Sequence, residues 1–342
     1  MVNIEPRNLE RITKFHPIRG KTVYIIFQSK ALGDTLAWFP YVEQFRVEND
    51  CIVKVFLPKQ EIIPFLKPNY PEIVFLSEDK HIQQFDKETL CFRLPMGPDG
   101  IISYKIGTSW DGRQYIPLQQ AATEILGLPF EEKKSNLFFK NLGRPIKEKY
   151  VTIGVHSGGP QLKYWNYPKG WNYVVKYLNH KGYKVVDVDL HEQYPTPEMK
   201  SSLIYNQVNN NQLKRSINTI PEGVIKQTGK PLEVTINNLV HSEFFIGLGS
   251  GLSWLAWSLN KKVVMIHGMT QTWFEFQHNC VHVHNNTVCN GCWHREESLN
   301  LKGDWLLCPD HKGTEREFEC SKKIDPPMVF SAIDKVIRDI RK

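Results

Sequence analysis

Four of the seven cysteines fall near the C-terminal end, spaced as Cys289-x2-Cys292-x15-Cys308-x11-Cys320. A Cys-x-x-Cys knuckle offers two thiolates from one tight turn, and Gly291 gives that turn a residue free to adopt unusual dihedrals. Two more thiolates, each a loop's length downstream, complete a tetrahedron, the preference of Zn²⁺ or of a single sulfur-bound iron. The spacing predicts one structural metal per chain and leaves iron and zinc open. His294 and His311 lie in the same stretch, where each is either a replacement ligand or a neighbour of the site. Disulfides would need an oxidising compartment. The residues after Met1, Val-Asn-Ile-Glu-Pro-Arg, have no apolar core of a secretory signal, so we expect reduced thiols and a cytoplasmic protein.

Three other clusters carry chemistry. Asp34 lies in the first strand-to-helix turn, within Ser29-Lys-Ala-Leu-Gly33-Asp34-Thr35. There a carboxylate either caps the helix or takes a proton from an attacking hydroxyl. His156-Ser157-Gly158-Gly159-Pro-Gln-Leu-Lys163 follows a second strand. Its bare amides and one cation suit a phosphate, although a loop lysine is often merely solvated. Tyr164, Trp165, Tyr167 and Trp171 then form a ligand wall or a packing surface. Gly247-Leu-Gly249-Ser250-Gly251-Leu252-Ser253-Trp254 joins a strand to a helix and suits either a diphosphate or close backbone packing. It is not a Walker A loop, since no Gly-Lys-Ser/Thr follows. The cleft motifs show no Asp-x-Asp pair, so a metal-free donor site is expected.

The elements that position these clusters alternate strand and helix. Lys21–Gln28 is a short β-branched run suited to a strand buried on both faces, and Leu36–Val47 a helix. Ile52–Leu57, Gln60–Leu66 and Ile73–Leu76 continue the pattern, and Pro117–Leu126 is a helix closed by Gly127. After the charged stretch Glu131–Tyr150 the pattern restarts. Strands fall at Tyr150–Val155, Lys184–Asp189, Glu243–Gly247 and Lys262–His267; helices fall at Gly170–Asn179, Leu232–Val240, Ser253–Leu259 and Pro326–Arg341. The reading is α/β with two doubly wound domains facing a cleft. The expected division is an extension over 1–20, a first domain over 21–145, a second over 150–285, a metal element over 286–325 and a closing helix over 326–342. Residues 190–220, rich in Asn and Gln, take no assignment.

At 342 residues and 41% hydrophobic content the chain can bury a full core. No apolar run approaches the length of about 20 residues that a membrane span needs. The formal net charge of +7 is scattered, without a basic stripe or recognition helix, which argues against nucleic acid and suits a phosphate-bearing ligand.

The clusters together resemble a family. The Gly33-Asp34 turn is similar to that of bacterial heptosyltransferases, glycosyltransferases of the GT-B type. Leu162-Lys163-Tyr-Trp165-Asn-Tyr-Pro168 resembles their Lys-x-Trp-Pro element with an insertion. Gly249-Ser250-Gly251-Leu-Ser253-Trp254 resembles their sugar-nucleotide loop, which usually runs Asp-Ser/Thr-Gly-x-x-His, with Gly249 for the acid and Trp254 for the histidine. The cysteine quartet resembles the autotransporter O-heptosyltransferase branch, whose members hold an iron on four C-terminal cysteines and assemble into a large, dodecameric ring. The resemblance implies a GT-B-like fold and transfer of heptose from ADP-heptose to serines of an adhesin passenger domain. It implies a donor site at Gly33, Thr35, Ser157, Gly158, Lys163, Trp165 and Gly249 to Ser253. Lys163 would neutralise the leaving diphosphate and Asp34 would deprotonate the acceptor serine. The cysteine cage would be a staple outside the chemistry. Two other readings stay open: a GT-B enzyme acting on lipopolysaccharide or a lipid-linked acceptor, and a non-catalytic metal scaffold.

Overall fold

The computed structural model describes residues 18–77, 93–94, 102–107, 115–159, 161–194, 218–295 and 308–342. Most of the expected N-terminal extension, much of the unassigned 190–220 stretch and residues 296–307 of the metal element lie outside the described residues.

Two sheets organise the chain, in the order β3-β2-β1-β5-β4 and β10-β7-β6-β11-β12-β13. The first opens with β1 (Thr22–Phe27), whose Val23, Ile25, Ile26 and Phe27 are buried. Helices α1 (Leu32–Trp38) and α2 (Pro40–Asn49) follow, then β2 (Ile52–Phe56), α3 (Ile63–Leu66), β3 (Val74–Leu76), β4 (Arg93–Leu94) and β5 (Ile102–Ile106). Strands β1, β2, β3 and β5 run parallel, and β4 pairs antiparallel at the edge. Helix α4 (Gln120–Leu126) ends on Gly127 at φ 68°, the left-handed cap its sequence predicts.

The second sheet is built from β6 (Tyr150–Gly154), α5 (Gly170–His180), β7 (Lys184–Asp187), and the short pair β8 (Gln193–Tyr194) and β9 (Asn218–Thr219), which stand apart as their own ribbon. It continues through β10 (Ile225–Lys226), α6 (Leu232–His241), β11 (Phe245–Leu248), α7 (Gly251–Ser258), β12 (Val263–Ile266) and β13 (Cys280–Val283). All its pairings are parallel. Every residue of β6, β11 and β12 is buried, as parallel strands covered by helices on both faces require. A short α8 (Glu319–Lys322) precedes α9 (Pro326–Ile340), which starts on Asp325, whose carboxylate accepts from the Met328 amide at 3.0 Å, and on two prolines in its first turn.

Three expectations change. The first helix begins at Leu32, four residues early, and is interrupted at Phe39 because Pro40 opens a new helix rather than continuing the old one. Asp34 therefore stands inside the first helical turn, and Ala31, not Asp34, is the N-cap. Strands β5 and β13 escaped the reading because Ile-Ser-Tyr-Lys-Ile and Cys-Val-His-Val interleave polar residues, although β5 pairs directly with the central β1.

Candidate active site

A cleft of about 1070 Å³ opens where the C-terminal ends of both sheets meet, the place where open α/β sheets hold ligands. Its floor is the seam between α1 and α7. A Cβ on Gly33 would lie 3.2 Å from the Trp254 Cδ1, and one on Gly251 would lie 3.0 Å from the Leu32 Cβ and 3.1 Å from the Gly33 amide nitrogen. These glycines let the two βα turns touch backbone to backbone. Gly251 thus serves close packing across the seam as well as lining the cleft.

Asp34 points into the cleft from α1. Burial raises its pKa, opposed by a hydrogen bond from Ser29 and by the charge of Lys163. Lys163 rises from the 3₁₀ turn Gln161–Lys163, with its alkyl stem laid against Gly159, a position a Cβ would block. Asp34 and Lys163, from opposite halves, thus act on each other electrostatically across one cleft. A third charged group joins them. Glu275 is buried, accepts from the Trp254 Nε1 at 3.0 Å and from the Thr270 Oγ1 at 3.2 Å, and lines the same cleft. Burial raises its pKa, Lys163 opposes that, and Asp34 adds to it.

The second wall is the loop after β6. Asp189 holds it open, accepting from the Val155 amide at 2.7 Å and the His156 amide at 3.2 Å. Burial and the neighbouring Asp187 push the Asp189 pKa well up, while burial lowers that of His156 to about 4, so its ring is neutral at pH 7. An Asp-x-Asp sequence outside the cleft motifs, Asp187-Val188-Asp189, lies behind this loop, with Asp189 at the cleft lining and Asp187 outside it. Its carboxylates are engaged by backbone amides and by the Thr228 hydroxyl, so they support the loop. Ser157 and Ser250 line the cleft, and each has a buried hydroxyl oxygen with no protein partner among the described residues. Buried hydroxyls are ordinarily satisfied, so the pair marks a place for a ligand's oxygens.

The structure brings most of the expected site together. Gly33, Asp34, Ser157, Gly158 and Lys163 line the cleft, and so do Gly249, Ser250, Gly251 and Leu252. Three residues stand behind the lining. Thr35 donates its hydroxyl to the Ala31 carbonyl at 3.1 Å, as helical threonines do. Ser253 is fully buried and donates to the Leu248 carbonyl at 2.6 Å. Trp165 is buried under Gly170 and donates to the Ile324 carbonyl at 2.9 Å, tying the Lys163 turn to the C-terminal segment.

The cysteine element packs on this site. Gly291 adopts φ 70° in the knuckle, and its amide donates to the Gly268 carbonyl at 2.9 Å. The Cys320 carbonyl and Cβ crowd the other side of Gly268, within 2.9 Å of where a Cβ would stand. The pKa of the Cys320 thiol is raised by burial and then by Cys292, Cys308 and Cys289, so each of those three lies within electrostatic reach of Cys320. Arg295 donates to the Cys292 sulfur at 3.0 Å and pairs with Asp310 at 2.6 Å. The compact donor set among the described residues is Cys289 with Asp310 and His311, all within 4.8 Å. This mixed set suits a metal such as Zn²⁺, with His311 as the replacement ligand, and no three of the expected Cys289, Cys292, Cys308 and Cys320 sulfurs form such a set among the described residues. His294 instead accepts from the Gln271 amide at 2.9 Å and is a supporting residue. Trp293, next to Cys292, reaches the cleft, so the staple also forms part of its wall.

No family model matches the chain. The autotransporter heptosyltransferase TibC of Escherichia coli is 34% identical over 333 residues, which is 94% of this chain and 73% of TibC. The chain belongs to the autotransporter heptosyltransferases. The crystal structure of TibC, described as an iron-containing dodecameric glycosyltransferase, aligns with a TM-score of 0.78 at 33% identity over 94% of the chain and 78% of that structure. The E. coli ADP-heptose lipopolysaccharide heptosyltransferase II shares the GT-B-like fold, with a TM-score of 0.57 at 13% identity over 94% of this chain and all of that one. A more distant relative, the inactive autotransporter heptosyltransferase BimC of Burkholderia thailandensis, is 27% identical over 92% of this chain and 68% of its own length. Among the described residues of this autotransporter heptosyltransferase, no helix is long and apolar enough to cross a membrane.

Two members of the site were not read from the sequence. Glu275 sits in a stretch without a motif, and only the tertiary approach of the segment after β12 brings it to Gly249 and Trp254. Asp189 had a visible signal, an acid at the C-terminal end of a recognised strand.

Proposed function

We propose that this chain transfers heptose from ADP-heptose to serine hydroxyls of an autotransporter adhesin passenger domain. The observation that carries the reading is the meeting of Asp34, on α1, and Lys163, after β6, in one cleft of a chain from this family. Asp34 is the base that takes the proton of the attacking serine hydroxyl, and burial tunes its pKa upward for that task. Lys163 stabilises negative charge on the departing diphosphate, the place where most transition-state charge collects. Ser157, Gly158, Gly249 and Ser250 line the part of the cleft that takes the donor's diphosphate, with the two serine hydroxyls left without a protein partner among the described residues. Gly33, Gly251 and Leu252 shape the seam on which it rests. Thr35, Trp165 and Ser253 act from behind, holding α1, the Lys163 turn and α7.

The metal is structural in this reading. Cys289, Cys292, Cys308 and Cys320 hold one iron per chain, with zinc the alternative and Asp310 and His311 beside Cys289. TibC's description as iron-containing supports the choice. Bound metal supplies a cross-link between the knuckle and α8. The working form is a cytoplasmic homo-oligomer, as the dodecameric TibC suggests. The proposed domain division lies at the charged stretch before Tyr150.

The test incubates purified protein with ADP-heptose and either a serine-bearing passenger fragment or heptose-deficient lipopolysaccharide core. Transfer to the fragment alone is expected. Transfer to the core alone would move the chain to the lipopolysaccharide reading, and donor binding without transfer to either would leave a scaffold.

A further inference from the structure

Glu275 has no part in the roles assigned above, yet both its oxygens are engaged at the centre of the cleft. One accepts from the Trp254 Nε1 at 3.0 Å and the other from the Thr270 Oγ1 at 3.2 Å, with only 6% of the residue exposed. A Cβ built on Gly249 would lie 2.9 Å from the Glu275 Oε1. Gly249 is not among the residues with positive φ, so its backbone does not demand glycine. The missing side chain makes room for the carboxylate. The two departures from the resembling Asp-Ser/Thr-Gly-x-x-His loop, Gly249 and Trp254, are therefore the two residues that receive Glu275. One supplies the space and the other a hydrogen bond. Lys163 acts electrostatically on both Asp34 and Glu275 across the cleft.

We propose that Glu275 is a positioning residue of the transfer site: from the segment after β12 it fills the space that Gly249 leaves, ties Trp254 to Thr270, and sets its charge in the wall of the cleft that Lys163 also lines. The inference rests on the roles proposed for Asp34 and Lys163. A buried carboxylate anchored at both oxygens fixes the wall of the cleft around Gly249, and displacement of a catalytic group by about 1 Å can cost on the order of 100-fold in rate.

The test measures kcat, and KM for ADP-heptose, in wild type, Glu275→Gln, Glu275→Ala, Gly249→Asp and the Gly249→Asp/Glu275→Ala double variant. Glu275→Gln keeps the shape and an acceptor for Trp254 but removes the charge. Its kcat is expected to fall about 10-fold or more, with KM within about threefold and the melting temperature close to wild type. Gly249→Asp alone sets two acids against each other and is expected to lower kcat. The same change is expected to raise kcat in the Glu275→Ala background, because the aspartate then occupies the vacated space. This reversal of sign is a readout that a merely structural role would not give. An unchanged kcat in folded Glu275→Gln, or additive losses in the double variant, would overturn the proposal. A wild-type protein without transfer would instead refute the function itself, and the inference would fall with it.

Discussion

At the residue scale the account rests on Asp34 and Lys163. Removing the base should cost about 10²–10⁴-fold, so Asp34→Asn is expected to lower kcat by that range with the protein still folded. The stability change has a definite sign. Burial raises the Asp34 pKa above its ordinary 3.8, so the folded state holds that proton more tightly than the unfolded one. The group therefore counts against folding as pH rises above about 4, and Asn removes the penalty. Thermal melts at neutral pH should show Asp34→Asn equal to or above wild type, and a clear loss of stability would contradict a carboxylate strained for function. The same direction places the acidic limb of the kcat/KM profile above the usual Asp range. Lys163→Met should lower kcat by about 10²–10³-fold while ADP binding persists. Both residues were legible in the sequence, because each follows a recognisable strand within a glycine-bearing stretch. Glu275 was not, because its partner Trp254 stands 21 residues away on α7 and only packing brings the two together.

At the element scale the decisive contact is the α1–α7 seam. Gly33 and Gly251 allow two βα turns to meet at backbone distance, and that meeting places Asp34 opposite the loop at Gly249. Gly251→Ala inserts a methyl 3.1 Å from the Gly33 amide nitrogen, which cannot yield without moving α1. Overpacking of this kind costs about 1–3 kcal/mol, and steady-state kinetics should show a fall in kcat larger than a surface alanine gives. Wild-type kinetics from that variant would mean that the seam does not set the site. The alternating strand–helix pattern made the α/β architecture readable, since buried parallel strands such as β6 and β12 are continuous apolar runs. The start of α1 was misplaced because Gly33 and Asp34 look like a turn in isolation. In the structure they are helical, with α7 packed against them. Strand β5 was hidden by Ser103 and Lys105, which are polar in sequence yet buried in place.

At the scale of the whole molecule, the cysteine element joins the chain's end to its cleft. Gly268 is gripped between the knuckle and Cys320, and the same segment continues through Met269 and Thr270 to Glu275. Metal loss should therefore loosen both the C-terminal element and one wall of the cleft. Cys320→Ser is expected to purify with little metal by elemental analysis, to melt several degrees lower, and to show a raised KM for the donor. Wild-type protein that is metal-free yet melts unchanged would contradict the cage. The spacing of the cysteines suggested the cage. The contact of Trp293 with the cleft depends on how the knuckle docks, which spacing alone does not encode. The most direct measurement of the central claim is the intact mass of a passenger-domain fragment co-expressed with this chain and with its Asp34→Asn variant. The account predicts a ladder of heptose-sized increments with the wild-type chain and an unmodified fragment with the variant. An unmodified fragment in both, in cells that make ADP-heptose, would contradict it.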